Sequence, residues 1–382
     1  MTPPRRPPCG RTAPRPGAAT SFDIAALAGV SQPTVSRALR GSPVVNAETR
    51  RRIEDIARRL GYTVDRHASS LRTGRTRTLA VLIFEDPTAD DSSINPFFHS
   101  MLGSITRACA ERRYDLLISF QPRTAGPHDD APLRRKADGV ILLGYGDYHD
   151  HRRRLESLTA AGIPFVRWGQ SLEGQPGLSV GCDNFRGARD AARHLLERGR
   201  TTIAFLGHAS SHYPEFEARF RGYRAALEAA GDAARQSLQV DAISTEESGH
   251  AAAIDLLDRK ESFDAILAAS DLIALGAMRA LRERSLAVPD DVAVVGFDDI
   301  AAAALAHPAL TTVIQDTRRA GEVLVDSLIR TIRGEPVADR VLPARLVVRD
   351  SCGARRAATQ GCGTRSDSNP APTNATPPSA SA

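Results

Sequence analysis

The sequence predicts an α/β protein: an all-α N-terminal segment of three short helices, then a body of two α/β subdomains with parallel sheets. Three observations lead there. Residues 20–61 carry apolar residues at helical spacing broken by turn residues. From Thr78 onward, short and almost wholly apolar runs alternate with amphipathic stretches, as a parallel sheet covered by helices on both faces requires. There are too many such alternations for one sheet, so two subdomains with a cleft beyond the strand carboxyl ends are expected.

Taken in order, the first helix starts at Thr20, with Asp23 three residues on as a variant capping box, and ends at Gly29. The second has Ser31 as its N-cap, tolerates Pro33 in its first turn and runs to about Leu39. Val35 and Leu39 are expected to face inward with Ile24, Ala25 and Leu27. The third is capped by Asn46 and carries Ile53, Ile56, Ala57 and Leu60 on one face before Gly61. In the body, the apolar runs LAVLIF, DLLISF, GVILLG, IPFVRW, LSVGCD, TIAFLG, FDAILAA and VAVVGF read as strands. Helices are expected over 98–112, 185–198, 217–230, 248–259, 273–284 and 319–333.

Composition narrows the class. The 382 residues are 42% hydrophobic and 25% charged, which describes a globular chain with a sizeable core. Residues 1–19 and 351–382 are rich in Pro, Ala, Ser, Thr and Gly and are expected to stay disordered. The leader has no apolar run of signal-peptide length and no later run could span a bilayer, so a cytoplasmic protein is expected. Five scattered cysteines without CxxC or Cys/His spacing predict reduced, unreactive thiols and no structural metal. No cofactor motif is present.

Charge is uneven. Residues 1–77 hold fifteen Arg against five acidic residues, a net +10, whereas the whole chain is +5 and the remainder therefore −5. A basic head on an acidic body points to a polyanion partner, because Arg clusters release the counterions condensed on nucleic acid; a basic unfolded tail is the alternative. A helix, a tight turn at AGVS and a second short helix form a helix-turn-helix, in which one helix braces on phosphates while the next enters the major groove. Near the start of that second helix stand Gln32, Thr34, Ser36 and Arg37. Gln32 can read a base edge, Arg37 can grip guanine O6 and N7 bidentately, and Pro33 offers only apolar contact such as to a thymine methyl. An ordinary helical hairpin with a polar outer face is the alternative.

The stretch TSFDIAALAGVSQPTVSRALRGSPVVNAETRRRIEDIARRLGY resembles the DNA-binding headpiece of the LacI/GalR transcriptional regulators. The resemblance continues through NPFF, CDNFRGARDAARHLLERGR, RFRGYRAALEAAG, SDLIALGAMRALRE, VPDDVAVVGFDDI and HPALTTVIQD. It implies a homodimer, possibly a higher oligomer, whose paired headpieces bind a pseudo-palindromic double-stranded operator. It also implies a periplasmic-binding-protein-like body that holds a small effector, a carbohydrate or polyol by family frequency. Gln32, Pro33 and Arg37 match base-reading positions; Thr34, Ser36, Asn46 and Thr49 match phosphate-contacting ones, with Ser31 and Arg66 beside them. The stretch DRHASSLRTG matches the hinge that becomes helical on DNA, with Leu71 as its minor-groove wedge or, alternatively, a linker hydrophobe. Where the family writes Pro-Asn before the hinge, this chain has Val64-Asp65. The domains are then a leader (1–19), a headpiece (20–64), a hinge (65–77), a body (78–350) and a tail (351–382). Within the body, subdomain one is expected over 78–180 and 309–335, and subdomain two over 181–308 and 336–350.

In the body, Asp298 falls at the carboxyl end of a strand, where a carboxylate can accept two hydroxyl hydrogen bonds. Arg219 matches the family's effector-gripping arginine, and Phe97 and Phe98 an aromatic wall. A turn or cap is the alternative for Asp298, and a solvated face for Arg219. Ser270 stands where the family commonly has Asn, and Ser244 where it often has an aromatic. No catalysis is expected. GYGDYH is half a dinucleotide fingerprint, no GxSxG, GxxxxGK or HExxH occurs, and the GHASSHY cluster lacks a positioned third partner. The reading from sequence is a ligand-responsive transcriptional regulator, most often a repressor in such a family, with induction and co-repression equally open; a periplasmic-type solute-binding protein is the alternative.

Overall fold

The computed structural model describes residues 19–62, 75–84, 94–121, 135–144 and 146–353, and divides into two units at Thr76/Arg77. The N-terminal unit is a three-helix cluster: α1 (Ser21–Ala28), α2 (Gln32–Ala38) and α3 (Ala47–Arg59). The capping box at α1 forms in full, with Thr20 Oγ1 accepting from Asp23 N and the Asp23 carboxylate accepting from Thr20 N at 2.8 Å. Gly29 closes the helix in the left-handed conformation (φ +63°), which a Cβ disfavours. Ser31 precedes α2, but its hydroxyl pairs with Thr34 Oγ1 at 2.9 Å and does not cap the backbone. Ile24, Val35, Ala38, Ile53, Ile56 and Ala57 form the small core. Two expected members are not in it: Leu27 is 63% exposed, and Leu60, at the C-cap beyond the last residue of α3, is 38% exposed.

The body contains two six-stranded sheets. The first has the order β11-β5-β4-β3-β1-β2, all parallel: β1 (Thr78–Phe84), β2 (Asp115–Gln121), β3 (Gly139–Leu143), β4 (Phe165–Trp168), β5 (Leu178–Cys182) and β11 (Arg340–Leu342). The second has the order β12-β10-β9-β8-β6-β7: β6 (Ile203–Leu206), β7 (Gln239–Val240), β8 (Ala265–Ala268), β9 (Ala293–Asp298), β10 (Thr311–Gln315) and β12 (Ala344–Val347), with only β12 antiparallel. The expected strands all form. Those not anticipated are β7, β10, β11 and β12.

Helices α4 (Pro96–Glu111) and α11 (Thr317–Ile332) pack together against the first sheet, and α5 (Tyr148–Ala160) covers its other face through Leu155 and Leu158. In the second subdomain, α6 (Asn184–Glu197) pairs with α7 (Pro214–Ala229), and α8 (Glu246–Asp258) with α9 (Asp271–Glu283). A short α10 (Ala301–Leu305) follows β9. The helix expected over 98–112 starts two residues earlier, because Asn95 Oδ1 accepts from Phe97 N at 3.0 Å and caps it.

Strand pairing moves the expected subdomain boundaries. Residues 309–316 are expected in subdomain one, yet β10 pairs with β9 in the second sheet; residues 181–182 and 336–342 are expected in subdomain two, yet β5 runs to Cys182 and β11 pairs with it in the first. The chain crosses between sheets near Asp183, Asp316 and Pro343, where Asp183 N donates to Leu342 O at 2.9 Å. The ordered chain also runs past Asp350. Ser351 is fully buried, donating to Val294 O at 2.6 Å and accepting from Thr311 N at 2.8 Å, so it belongs to the body and not to a tail.

Candidate nucleic-acid interface and ligand cleft

In the headpiece, the α2 residues sort by face. Val35 and Ala38 are buried, whereas Ser31, Pro33 and Arg37 are exposed and Gln32, Thr34 and Ser36 are partly so. Gln32 Nε2 donates to Ser21 Oγ at 3.2 Å, which ties the start of α2 to α1. Asn46 Oδ1 accepts from Thr49 N at 2.7 Å, and Arg50, which the sequence reading passed over, pins the preceding loop through Ser42 O at 2.7 Å. The face so presented carries a fork donor, hydroxyls and an amide, the groups that contact bases and phosphates. Arg66 and Leu71, with the Val64-Asp65 departure, lie outside the described residues.

In the body, the first strand of each sheet has its two successors on opposite sides (β2-β1-β3 and β7-β6-β8), and the candidate residues follow β1, β6 and β8 or, for Asp298, end β9. Asp298 ends β9 with φ +115°, a strained value for a residue with a Cβ, and is 3% exposed. Arg219 projects from α7 and is 1% exposed, with Nη1 3.6 Å from Asp298 Oδ1. Its guanidinium lies 3.8 Å from the Phe297 ring centroid, Nε donates to Asn184 Oδ1 at 2.9 Å, and Nη1 donates to Ala269 O. The solvated-face alternative for Arg219 is thereby removed. Gln315 Nε2 donates to Asp298 Oδ1 at 2.6 Å.

From subdomain one, Phe97 and Phe98 pack edge to face at 5.2 Å between centroids, and Phe97 lies 6.0 Å from Trp168; both phenylalanines are about fully buried, at 1%. Asn95, just before them, reaches across: its Nδ2 donates to Ser244 Oγ at 3.1 Å, and Ser244 Oγ donates to Ser270 Oγ at 2.9 Å. Ser270 in turn caps α9 by accepting from Ile273 N at 3.3 Å. The two serines thus form a hydroxyl relay within the second subdomain, which Asn95 of the first subdomain joins. At the rim, His212 Nδ1 and Asp147 Oδ2 are 2.7 Å apart and Tyr148 N donates to His212 O. Burial pushes Asp147 up, but hydrogen bonds from His212 and His149 N outweigh it and leave the carboxyl below its usual range. The GYGDYH stretch is therefore a helix start, with Asp147 as N-cap.

Beside the pair, Asp271 is fully buried. Its carboxyl faces Thr312 Oγ1 and accepts from Ile300 N at 2.9 Å; burial, then the neighbouring Asp298, hold its pKa well above the usual range. Burial raises the Cys109 thiol to about 11 and the Cys182 thiol to about 12, which disfavours the nucleophilic thiolate at both. Among the described residues no group of His, Cys, Asp and Glu could hold a metal ion, and no helix is long and apolar enough to cross a membrane.

Comparison with known proteins decides the family. The model for bacterial regulatory proteins of the lacI family matches residues 22–65, and that for the periplasmic binding protein-like domain matches 192–352. The HTH-type transcriptional regulator DegA of Bacillus subtilis is 34% identical over 337 residues, 87% of this chain and 97% of that protein. The chain belongs to the LacI family of transcriptional regulators. Among solved structures, a CelR–cellobiose complex is 34% identical with a TM-score of 0.66, covering 87% of this chain and 99% of that one. The Lac repressor dimer bound to operator and an anti-inducer is 26% identical with a TM-score of 0.73, covering 88% and 99%. This LacI-family chain is thus a DNA-binding transcriptional regulator with a helix-turn-helix domain and a periplasmic-binding-like body. The solute-binding alternative has no place for the headpiece, and the relatives are regulators and not enzymes.

Proposed function

We propose that this regulator is a homodimeric cytoplasmic repressor whose grip on a pseudo-palindromic operator is set by a small polyhydroxy effector, a sugar or polyol, bound in the body. The observation that carries the reading is the Arg219–Asp298 pair: a guanidinium and a carboxyl side chain, both nearly inaccessible and 3.6 Å apart, with Asp298 at the carboxyl end of β9. Such a pair adds little to stability over apolar packing, yet it can bind vicinal hydroxyls bidentately on both charges. Ser270 and the Phe97–Phe98 wall supply a further hydroxyl and the apolar face of a ring site. The named ligands of two relatives, cellobiose and an operator with an anti-inducer, agree with this chemistry. In the headpiece, Gln32, Pro33 and Arg37 read bases, while Ser31, Thr34, Ser36, Asn46, Thr49 and Arg66 hold phosphates and Leu71 wedges the central step. No catalytic step is assigned to the body.

The test joins two measurements. Thermal unfolding of the full chain is screened against sugars, polyols and sugar phosphates, since a ligand selective for the folded state raises Tm. Any stabilising compound is then titrated into operator-bound protein. Asp298→Ala should retain operator binding and lose the ligand's effect on it. An Asp298→Ala protein that still responds would remove this cleft from the mechanism.

A further inference from the structure

A second guanidinium is buried in the body. Arg167, in β4, is 8% exposed; its Nη2 donates to Gln170 O and Gln175 Oε1, and its plane stands 5.4 Å from the Tyr148 ring centroid. Glu215 Oε1, the nearest carboxylate, is 3.9 Å from Nη1, beyond hydrogen-bond reach. Burial pulls the Arg167 pKa down, against the pull of Glu215. Gly169 makes this arrangement possible, because a Cβ there would fall 2.3 Å from Arg167 Nη1 and 2.7 Å from Glu215 Oε1.

Two donors in this cluster have no acceptor: Arg167 Nε and Gln175 Nε2 are buried without a hydrogen-bond partner. The orientation of Gln175 is fixed, since its Oε1 accepts from Arg167 Nη2 and from Leu172 N at 3.1 Å. Unmet buried donors are unfavourable, most of all on a charged group, so they point to an acceptor that arrives from outside. The cluster is continuous with the cleft. Glu215 and Arg219 are one turn apart on α7 and share a face. Gln170 N donates to Glu215 Oε1 at 2.7 Å, and Gln170 Oε1 accepts from Asn184 Nδ2 at 3.1 Å, the same Asn184 that receives Arg219 Nε.

We propose that Arg167, assisted by Gln175, selects the effector by receiving an oxyanion that it carries, a carboxylate or a phosphate ester, while Arg219 and Asp298 hold its hydroxyls. This rests on the cleft being the effector site. Nη2 already donates to Gln170 O and Gln175 Oε1, so the arriving oxyanion is met by the Arg167 Nε–H and by Gln175 Nε2, whose two unmet donors its several lone pairs answer. Glu215 keeps its bond from Gln170, so the arriving group displaces no close partner of Arg167.

The test uses the full chain as wild type, R167Q and R167K, the latter keeping the charge without the fork. Tm is measured with inorganic phosphate against chloride at equal ionic strength, and with glucose, glucuronate and glucose 6-phosphate. Far-UV circular dichroism and operator binding check that each variant folds; R167K carries the comparison should R167Q not fold. Phosphate, and the acidic sugar whose group fits, should raise wild-type Tm above the neutral controls; R167Q should lose that increment and R167K more than half of it. Which acidic sugar acts distinguishes carboxylate from phosphate ester. Phosphate binding by the basic headpiece is common to all three proteins and cancels. No phosphate increment over chloride, or one unchanged in R167Q, overturns the assignment. A neutral sugar that shifts operator affinity with no acidic preference also overturns it and leaves the effector-sensor reading intact.

Discussion

Asp271 and Arg37 show two ways in which one side chain acts. The Asp271 carboxyl is enclosed, faces Thr312 Oγ1 and accepts from Ile300 N. Because its folded pKa is raised, folding takes up a proton there: the associated stability is fully present below the unfolded value and is lost as pH rises towards the folded one. Asparagine mimics the protonated acid, its Oδ1 accepting from Ile300 N and its Nδ2 facing Thr312. Asp271→Asn should therefore gain on wild type as pH rises above the usual carboxylate range, and Tm profiles of the two proteins, subtracted, isolate this group from every other carboxylate. An unchanged difference across that range would mean the carboxyl stays ionised. Arg37 is exposed at the far end of α2. Arg37→Ala should weaken binding by about 1–3 kcal/mol at one operator base pair and relax the preference there; equal weakening on every duplex would make it a phosphate contact.

Elements show what a sequence discloses. The three headpiece helices and eight of the strands were legible, because cap residues and continuous apolar runs are local signals. Strand β11 was not, since its burial is only partial, and β12 carries Arg345 in mid-strand; neither has the apolar run that marks a central strand. Helix α5 was hidden by its polarity, with only Leu155 and Leu158 buried. In the cleft, Arg219, Asp298, Ser270, Phe97 and Phe98 came from the resemblance and are found near the strand ends. Asn95, Asn184, Gln315, Arg167 and Glu215 were missed, because a polar partner distant in sequence leaves no periodic trace. Helix contact adds a further test. α8 and α9 touch backbone to backbone at Gly276, where a Cβ would fall 2.1 Å from Glu246 O and 2.5 Å from His250 N. Backbone cannot swing aside as a side chain can, so Gly276→Ala should cost about 1–3 kcal/mol, seen as a lower denaturant midpoint at unchanged slope. An unshifted midpoint would show that the two helices can part freely.

For the whole body, the decisive quantity is the coupling between closure and function. Its two subdomains meet through Asn95 and Ser244, Gln170 and Glu215, and Asp147 and His212. None of these bonds is large alone, since an exposed ion pair such as the last contributes about 0–1 kcal/mol. A ligand can shift closure only by its differential affinity for the two arrangements. Asn95→Ala removes the one buried side-chain bridge among these contacts, leaving the Ser244–Ser270 relay without its donor from subdomain one. The body should then open more often, which small-angle scattering reads as a larger radius of gyration. Thermodynamic reciprocity makes the consequence exact in form: the factor by which effector changes operator affinity equals that by which operator changes effector affinity, typically about 5–150-fold. Asn95→Ala should move both factors together and by the same amount, with base preference unchanged because the headpiece is untouched. A changed factor with an unchanged radius, or a larger radius with an unchanged factor, would show that closure is not the coordinate that links cleft to operator.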